Sequence, residues 1–287
     1  MRYIAPDSLD TAVKLLHAET GLARILAGGT DILAQLKSGM IEPDLLLDIK
    51  RIPGLSSITE ESGGFRIGAA VSSAALGENA ALRKAWPGLV EAANLIGSTQ
   101  IQGRATVVGN LCNASPAADS VPAMVAADAT VRITGPGGMR DLPAIDVAVS
   151  PGKTSLQKGE IVESVFLPAR PPRACDAYLR FIPRTEMDIA VVGAGVSLTL
   201  DPKGTCTAAR VALGAVAPRV LLVEEAAKAL VGTQLEEKAL ARAAEAASAA
   251  CRPIDDRRGT KEFRIKVAGV LTRRAAVIAY ERAKASK

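Results

Sequence analysis

Two short stretches bring together residue types that can hold an anionic ligand. The first is Ala27-Gly28-Gly29-Thr30-Asp31, which follows the apolar stretch Arg24-Ile25-Leu26-Ala27 and precedes a helical pattern. Adjacent glycines let a backbone turn sharply and approach a ligand with no Cβ in the way. The N–H groups that open the next helix then point at that ligand, which makes an anion site. The same glycines also suit a bare turn. The second stretch runs from Thr106 to Asp119 and reads Thr-Val-Val-Gly-Asn-Leu-Cys-Asn-Ala-Ser-Pro-Ala-Ala-Asp. It sets hydroxyls, amides, a glycine and a carboxylate between apolar segments, and polar groups that are buried need partners. A dinucleotide supplies many: pyrophosphate oxygens, ribose hydroxyls and a base edge. Thr106 and Ser115 can donate to phosphate, and Asp119 can accept from ribose hydroxyls.

Other chemistries fit less well. The single histidine, His17, lies in a helical pattern, so a His-rich metal site cannot form and a catalytic triad has no other base. Cys112, Cys175, Cys206 and Cys251 are far apart in sequence, without the short spacing of a zinc or iron–sulfur site. They read as free, packed thiols. The common nucleotide fingerprints also fail. Gly193-Ala-Gly195-Val-Ser-Leu198 has leucine where a Rossmann turn needs its third glycine. Gly152-Lys153-Thr154 resembles the end of a P-loop, but Val147 stands where the first glycine belongs. Both read as turns. A net charge of +5 spread along the chain and only 3% aromatics point to a solvated basic surface, with no nucleic-acid binding expected. No apolar run approaches the ~20 residues of a membrane span, and the start of the chain has no signal-peptide core, so a cytoplasmic protein is expected.

The elements that must position these loops follow from pattern. Ser8 can cap a helix with apolar Leu9, Ala12, Val13 and Leu16. A strand leads into Gly28, a second helix carries Ile32, Leu33 and Leu36 and stops at Gly39, and Leu45 to Ile49 form another strand. The opening thus reads α-β-loop-α-β. Short strands at 65–69, 131–134 and 161–167 follow, with helices before Gly97 and through Met124, and a turn at Gly135 to Gly138. Beyond a Pro/Arg-rich boundary at 168–173, strands are expected at 177–182, 190–200 and 210–214, then helices over 236–250 and 262–285. The class is α+β, with two lobes (1–55 and 56–172) and a C-terminal domain (173–287).

The ordered set Ala27-Gly-Gly-Thr-Asp31, Thr106-Val-Val-Gly-Asn110, Ala114-Ser-Pro-Ala-Ala-Asp119, Gly159-Glu160-Ile161, Tyr178-Leu-Arg180 to Asp188-Ile-Ala190 and Glu262-Phe-Arg264 resembles the FAD-binding medium subunits of the xanthine dehydrogenase family. The resemblance spans nearly the whole chain. It implies a two-lobed, vanillyl-alcohol-oxidase (PCMH)-type FAD domain followed by a three-stranded sheet with a helical bundle. It also implies that backbone N–H groups of Gly28, Gly29, Thr30 and Asp31 hold the pyrophosphate, flanked by Ile25 and Ala27. Thr106, Gly109, Asn110, Ser115 and Asp119 would contribute from the second loop. Ile96, Ile161 and Arg180 match positions at the flavin or its chain, and a cation there would stabilise reduced flavin. Arg180 could also be an ordinary strand arginine, and Arg184 with Asp188 a structural ion pair. In one departure, Val108 replaces the first of two glycines that precede the asparagine in most relatives. Valine does not tolerate positive φ, so the backbone there is either ordinary or displaced.

By this resemblance no side chain here is an acid, base or nucleophile, because the chemistry is the cofactor's. The implied partners are a large subunit with a molybdenum-pterin cofactor and a small subunit with two [2Fe–2S] clusters, assembled as a dimer of heterotrimers. Electrons would pass from the clusters through FAD to an external acceptor such as NAD or a quinone. The alternative is a self-sufficient FAD-dependent oxidase of the same fold.

Overall fold

The computed structural model describes residues 1–286. A three-residue strand β1 (Arg2–Ile4) precedes the capped helix α1 (Leu9–Ala18), whose Thr11 N–H donates to the Ser8 hydroxyl as expected. Strand β2 (Ala23–Leu26), helix α2 (Ile32–Lys37) and strand β3 (Leu45–Asp48) follow. The opening is therefore β-α-β-α-β, one strand more than the pattern suggested, because three residues, two of them exposed, carry no periodicity. The strands are parallel in the order β1-β3-β2. As the central strand, β3 is covered on both faces, which is why Leu45-Leu46-Leu47 is a continuous apolar run.

The second lobe begins with β4 (Ile58–Glu61) and β5 (Gly64–Gly68), then a series of short helices: α3 (Ser73–Glu78), α4 (Ala80–Ala85), α5 (Pro87–Ala93), α6 (Thr99–Gln102), α7 (Val107–Cys112) and α8 (Ser120–Ala126). Strands β6 (Thr130–Gly135), β7 (Gly138–Pro143), β8 (Ala148–Ser150), β9 (Lys153–Thr154) and β10 (Ile161–Leu167) complete it. Five strands form a sheet in the order β4-β5-β10-β6-β7, and β10 pairs antiparallel with both β5 and β6. A register shift between Val162 and Ser164 bends β10 where it leaves the site described below. One apolar core, including Leu47, Ile67, Leu89, Leu111, Met124 and Val165, runs through both lobes.

The C-terminal part contains β11 (Ala174–Phe181), β12 (Val192–Leu200), β13 (Cys206–Gly214) and β14 (Leu221–Leu222), an antiparallel sheet in that order. Helices α9 (Glu224–Leu230) and α11 (Lys261–Ala285) pack against it, and α10 (Glu237–Ala250) packs on both of them. The expected sheet of three strands gains a short fourth, and the bundle gains α9. A two-residue strand leaves no sequence pattern, and α9 buries only Ala226, Ala227 and Leu230. Gly193 to Leu198 is not a turn but the middle of β12. Its glycines make room: a Cβ at Gly193 would lie 2.5 Å from the Tyr178 hydroxyl, and one at Gly195 would lie 2.7 Å from the Pro122 carbonyl on α8. Gly152 lies in the turn between β8 and β9, but Lys153 and Thr154, also expected in the turn, form β9 itself because they pair with β8.

The two halves are joined by charged groups. Arg170 stacks 3.7 Å from the Trp86 ring centroid and pairs with buried Asp176 at 2.9 Å, while Arg282 of α11 pairs with Glu91 of α5. Within the C-terminal part, Arg264 is 3% exposed, donates to the Val191 carbonyl (2.8 Å) and pairs with Asp256 (2.7 Å). Asp188 accepts from both Arg184 (3.2 Å) and Arg258 (2.9 Å), and these bonds hold its carboxyl down at about 2. The Arg184–Asp188 pair is thus part of a structural network.

Candidate functional site

The anion loop is built where a parallel strand pair stops. The last backbone bond between β2 and β3 is Ile49 N–H to the Leu26 carbonyl at 3.1 Å. The chain then turns through Gly28 and Gly29, the latter at φ +82°, and enters α2, where Leu33 N–H donates to the Gly29 carbonyl. Among the described residues, the N–H groups of Gly28, Gly29, Thr30 and Asp31 donate to no other group of the chain. Gly28 is required by close approach: a Cβ there would lie 1.9 Å from the Arg104 carbonyl oxygen. The first loop therefore rests against the backbone that leads into the second.

The first half of that second segment is a helix, α7, and only the part after Cys112 is the loop its polar composition suggests. Thr106 caps α7, its hydroxyl accepting from Gly109 N–H at 2.9 Å. Asn110 turns its carbonyl oxygen to Ser120, taking bonds from the backbone N–H (3.0 Å) and the hydroxyl (2.7 Å). This holds α7 to the start of α8 and leaves the Asn110 amide N–H₂ free. Val108 is buried with ordinary helical backbone, which resolves the question its substitution for glycine raised.

Between these segments lies a cavity of about 820 Å³. Eleven of the fourteen expected site residues line it: Ile25, Ala27, Gly28, Gly29, Thr30 and Asp31 from the first loop, Thr106, Gly109 and Asn110 from the second, and Ile96 and Ile161 from the walls. Ser115, Asp119 and Arg180 do not. Ala114 adopts positive φ (50°) and swings the chain out of α7, so Ser115 faces a separate small void beside Arg219. Asp119 and Arg180 pair with each other at 2.9 Å, and Arg180 also donates to the Leu95 carbonyl at 2.7 Å. Burial pushes the Asp119 carboxyl up to about 6, with Arg180 opposing, and its Oδ1 is buried without a partner. This pair backs the wall at Ile96 and does not line the cleft. At the mouth, desolvation raises the Asp31 carboxyl above its ordinary value, and a hydrogen bond from Thr30 opposes it.

Several lining groups were not anticipated. Gly152 comes from the β8–β9 turn, Thr154 from β9 and Lys158 from the segment before β10. Their signal was the glycine pair Gly152 and Gly159, both at positive φ. Cys112 also lines the cleft, and burial lifts its thiol to about 12, so it is an inert wall residue. No group of metal-ligating side chains occurs among the described residues.

Two glycine-bearing segments in backbone contact, facing a cavity with unpaired N–H donors, describe a dinucleotide cleft of a kind outside the Rossmann and P-loop plans. The FAD-binding domain of molybdopterin dehydrogenases matches residues 1–170, and the C-terminal domain of carbon monoxide dehydrogenase flavoproteins matches residues 177–278. The chain belongs to this molybdopterin dehydrogenase flavoprotein family. It is 36% identical over 282 residues to the carbon monoxide dehydrogenase medium chain of Afipia carboxidovorans, covering 98% of this chain and 97% of that one. It is 32% identical over 274 residues to the xanthine dehydrogenase FAD-binding subunit of Escherichia coli O157:H7, covering 95% and 93%. Among solved structures, a chain of the Cu,Mo-CO dehydrogenase in its cyanide-inactivated form superposes with a TM-score of 0.94 at 35% identity, covering 98% of each chain. A chain of quinoline 2-oxidoreductase from Pseudomonas putida 86 gives 0.91 at 29% identity, covering 99% and 98%. The two-part architecture is that of the flavoprotein family, and its members are oxidoreductase subunits. No helix among the described residues is long and apolar enough to cross a membrane.

Proposed function

We propose that this chain binds FAD between its first two lobes (1–55 and 56–172) and passes electrons within a cytoplasmic molybdenum hydroxylase. Its partners are a large molybdenum-pterin subunit and a small subunit with two [2Fe–2S] clusters, in a dimer of heterotrimers contacted in part by the C-terminal domain (173–287). When bound, FAD supplies the redox chemistry, accepting electrons from the clusters and returning them to an external acceptor such as NAD or a quinone.

The observation that carries this reading is the row of unpaired N–H groups at Gly28, Gly29, Thr30 and Asp31 facing a cleft of dinucleotide size. Such a row fits a pyrophosphate, since four N–H donors without a partner in the chain belong to residues that line the cleft, and α2 begins behind them. Thr106 and Gly109 line the opposite wall, and the free Asn110 amide offers two further donors. Ile96 and Ile161 provide apolar surface for a flavin ring. Arg180, tied to Asp119 and to the Leu95 carbonyl, supplies positive charge behind Ile96 and fixes that segment. Asp119 then acts on the cofactor through this pair.

The test is to load the chain with FAD, mix it with the candidate iron–sulfur and molybdenum subunits and isolate the complex. Co-elution of all three, with flavin bleaching when the hydroxylated substrate is added without air, supports the role. A flavoprotein that elutes alone and oxidises a substrate unaided refutes it and returns the oxidase alternative.

A further inference from the structure

A side chain outside the cleft holds the anion loop in place. Beyond the end of the β2–β3 ladder, the Ala27 carbonyl is taken by Lys50, whose Nζ donates to it at 3.1 Å. The same ammonium pairs with Asp48 Oδ2 at 2.8 Å, and Asp48 Oδ2 also accepts from the Tyr3 hydroxyl at 2.7 Å. Asp48 Oδ1 accepts from the Lys50 backbone N–H at 3.0 Å, so both carboxylate oxygens are engaged. Asp48 is 6% exposed; burial alone would raise its carboxyl, but the bonds from Lys50 and Tyr3 hold it below the ordinary range. The acceptor is thus a fixed anion in the sheet, and Lys50 is anchored at its head by three strands' worth of structure.

The consequence lies in one peptide plane. The Ala27 carbonyl and the Gly28 N–H belong to the same trans peptide, so they point in opposite directions. Fixing the carbonyl toward Lys50 fixes the N–H away from it. That N–H is the first of the unpaired row, and Lys50 itself does not line the cleft. Without such a tether, the plane preceding a Gly-Gly pair is free to rotate, because glycine populates both signs of φ readily. We propose that Lys50, held by Asp48 and Tyr3, is a positioning residue that presets the Gly28 N–H of the anion loop. This role rests on the FAD reading for its ligand, and on the bonds of Lys50 to Ala27 and Asp48 for its geometry.

The experiment uses the full chain with Lys50→Met and Lys50→Arg. The order of the Gly28 N–H vector is followed by 15N relaxation in the ligand-free protein, FAD affinity by flavin fluorescence, ADP affinity by calorimetry, and melting of the ligand-free form alongside. Lys50→Met is expected to lower the Gly28 order parameter and to weaken FAD and ADP about tenfold or more, the scale of one charge-assisted hydrogen bond. Lys50→Arg, which keeps the charge and donors, should recover most of the affinity. Unchanged order and affinity in Lys50→Met overturns the inference. So does a loss that the arginine fails to recover and that tracks a lowered melting temperature, since that marks a merely structural lysine. Wild-type protein that binds neither FAD nor ADP overturns the cofactor reading instead. In that event the Gly28 order parameter still decides the tether, lower in Lys50→Met upholding it and unchanged refuting it.

Discussion

Replacing Gly28 by alanine tests the join between the two loops. The added Cβ would meet the Arg104 carbonyl oxygen at 1.9 Å, its carbon at 2.7 Å and the Ala105 Cα at 3.1 Å. All three are backbone atoms, so no flexible side chain can yield. Ordinary contact begins near 3.4 Å, so one loop must retreat by about 1.5 Å. Overpacking of this kind costs about 1–3 kcal/mol of stability. A retreat of that size also breaks a hydrogen bond from a Gly28 N–H to phosphate, worth about 1.5–3 kcal/mol when the acceptor is charged. At 1.4 kcal/mol per decade, FAD should bind about 10- to 100-fold more weakly. The assay is flavin fluorescence titration together with thermal melting of the ligand-free chain. Gly137→Ala serves as the control, because nothing lies within 4 Å of its added Cβ. If Gly28→Ala binds FAD as tightly as the control and melts with it, the loops do not meet as described.

Further predictions concern charge. Asp31→Asn removes a carboxylate whose ionisation is disfavoured at the cleft mouth, so it should tighten FAD binding at neutral pH. The gain should fade as pH falls and wild-type Asp31 takes up its proton; a weaker-binding variant would contradict this. Asp119 takes up a proton more readily in the folded chain, at about 6, than its ordinary value of 3.8. Its contribution to stability is full below that ordinary value and is lost as pH rises through about 6. In urea melts, Asp119→Asn should therefore flatten the stability slope between about pH 4 and 6, and an unchanged slope would refute the assignment. Arg264→Ala leaves the Val191 and Ala215 carbonyls without their donor, while exposed Asp256 keeps its bond from the Arg258 N–H, and should destabilise the chain by about 1–3 kcal/mol. A loss below about 1 kcal/mol in denaturant melts would show these bonds to be dispensable.

Much of this was legible because period and glycine placement are local. The Ser8 cap, the Leu45-Leu46-Leu47 strand and the Gly28-Gly29 turn all stand where their patterns put them. The second segment was harder to read. Thr106, Gly109 and Asn110 look like loop residues, yet Thr106 is a helix cap and Asn110 a tie between helices, roles set by tertiary neighbours. Asp119 and Arg180 are 61 positions apart, and nothing in either local sequence says that each is the other's partner. Very short elements such as β1 and β14 carry too few residues for a period, and pairing with a neighbour decides them. Lys50 gave no signal because its role depends on where the Ala27 carbonyl points.

The central claim is that the cleft takes FAD, and flavin content measures it most directly. The chain is expressed, incubated with excess FAD, freed of unbound cofactor, and its visible spectrum recorded before and after heat release. The account predicts oxidised-flavin bands from about one FAD per chain, released intact on denaturation. A folded chain that stays colourless, both alone and co-expressed with the proposed partner subunits, would contradict it.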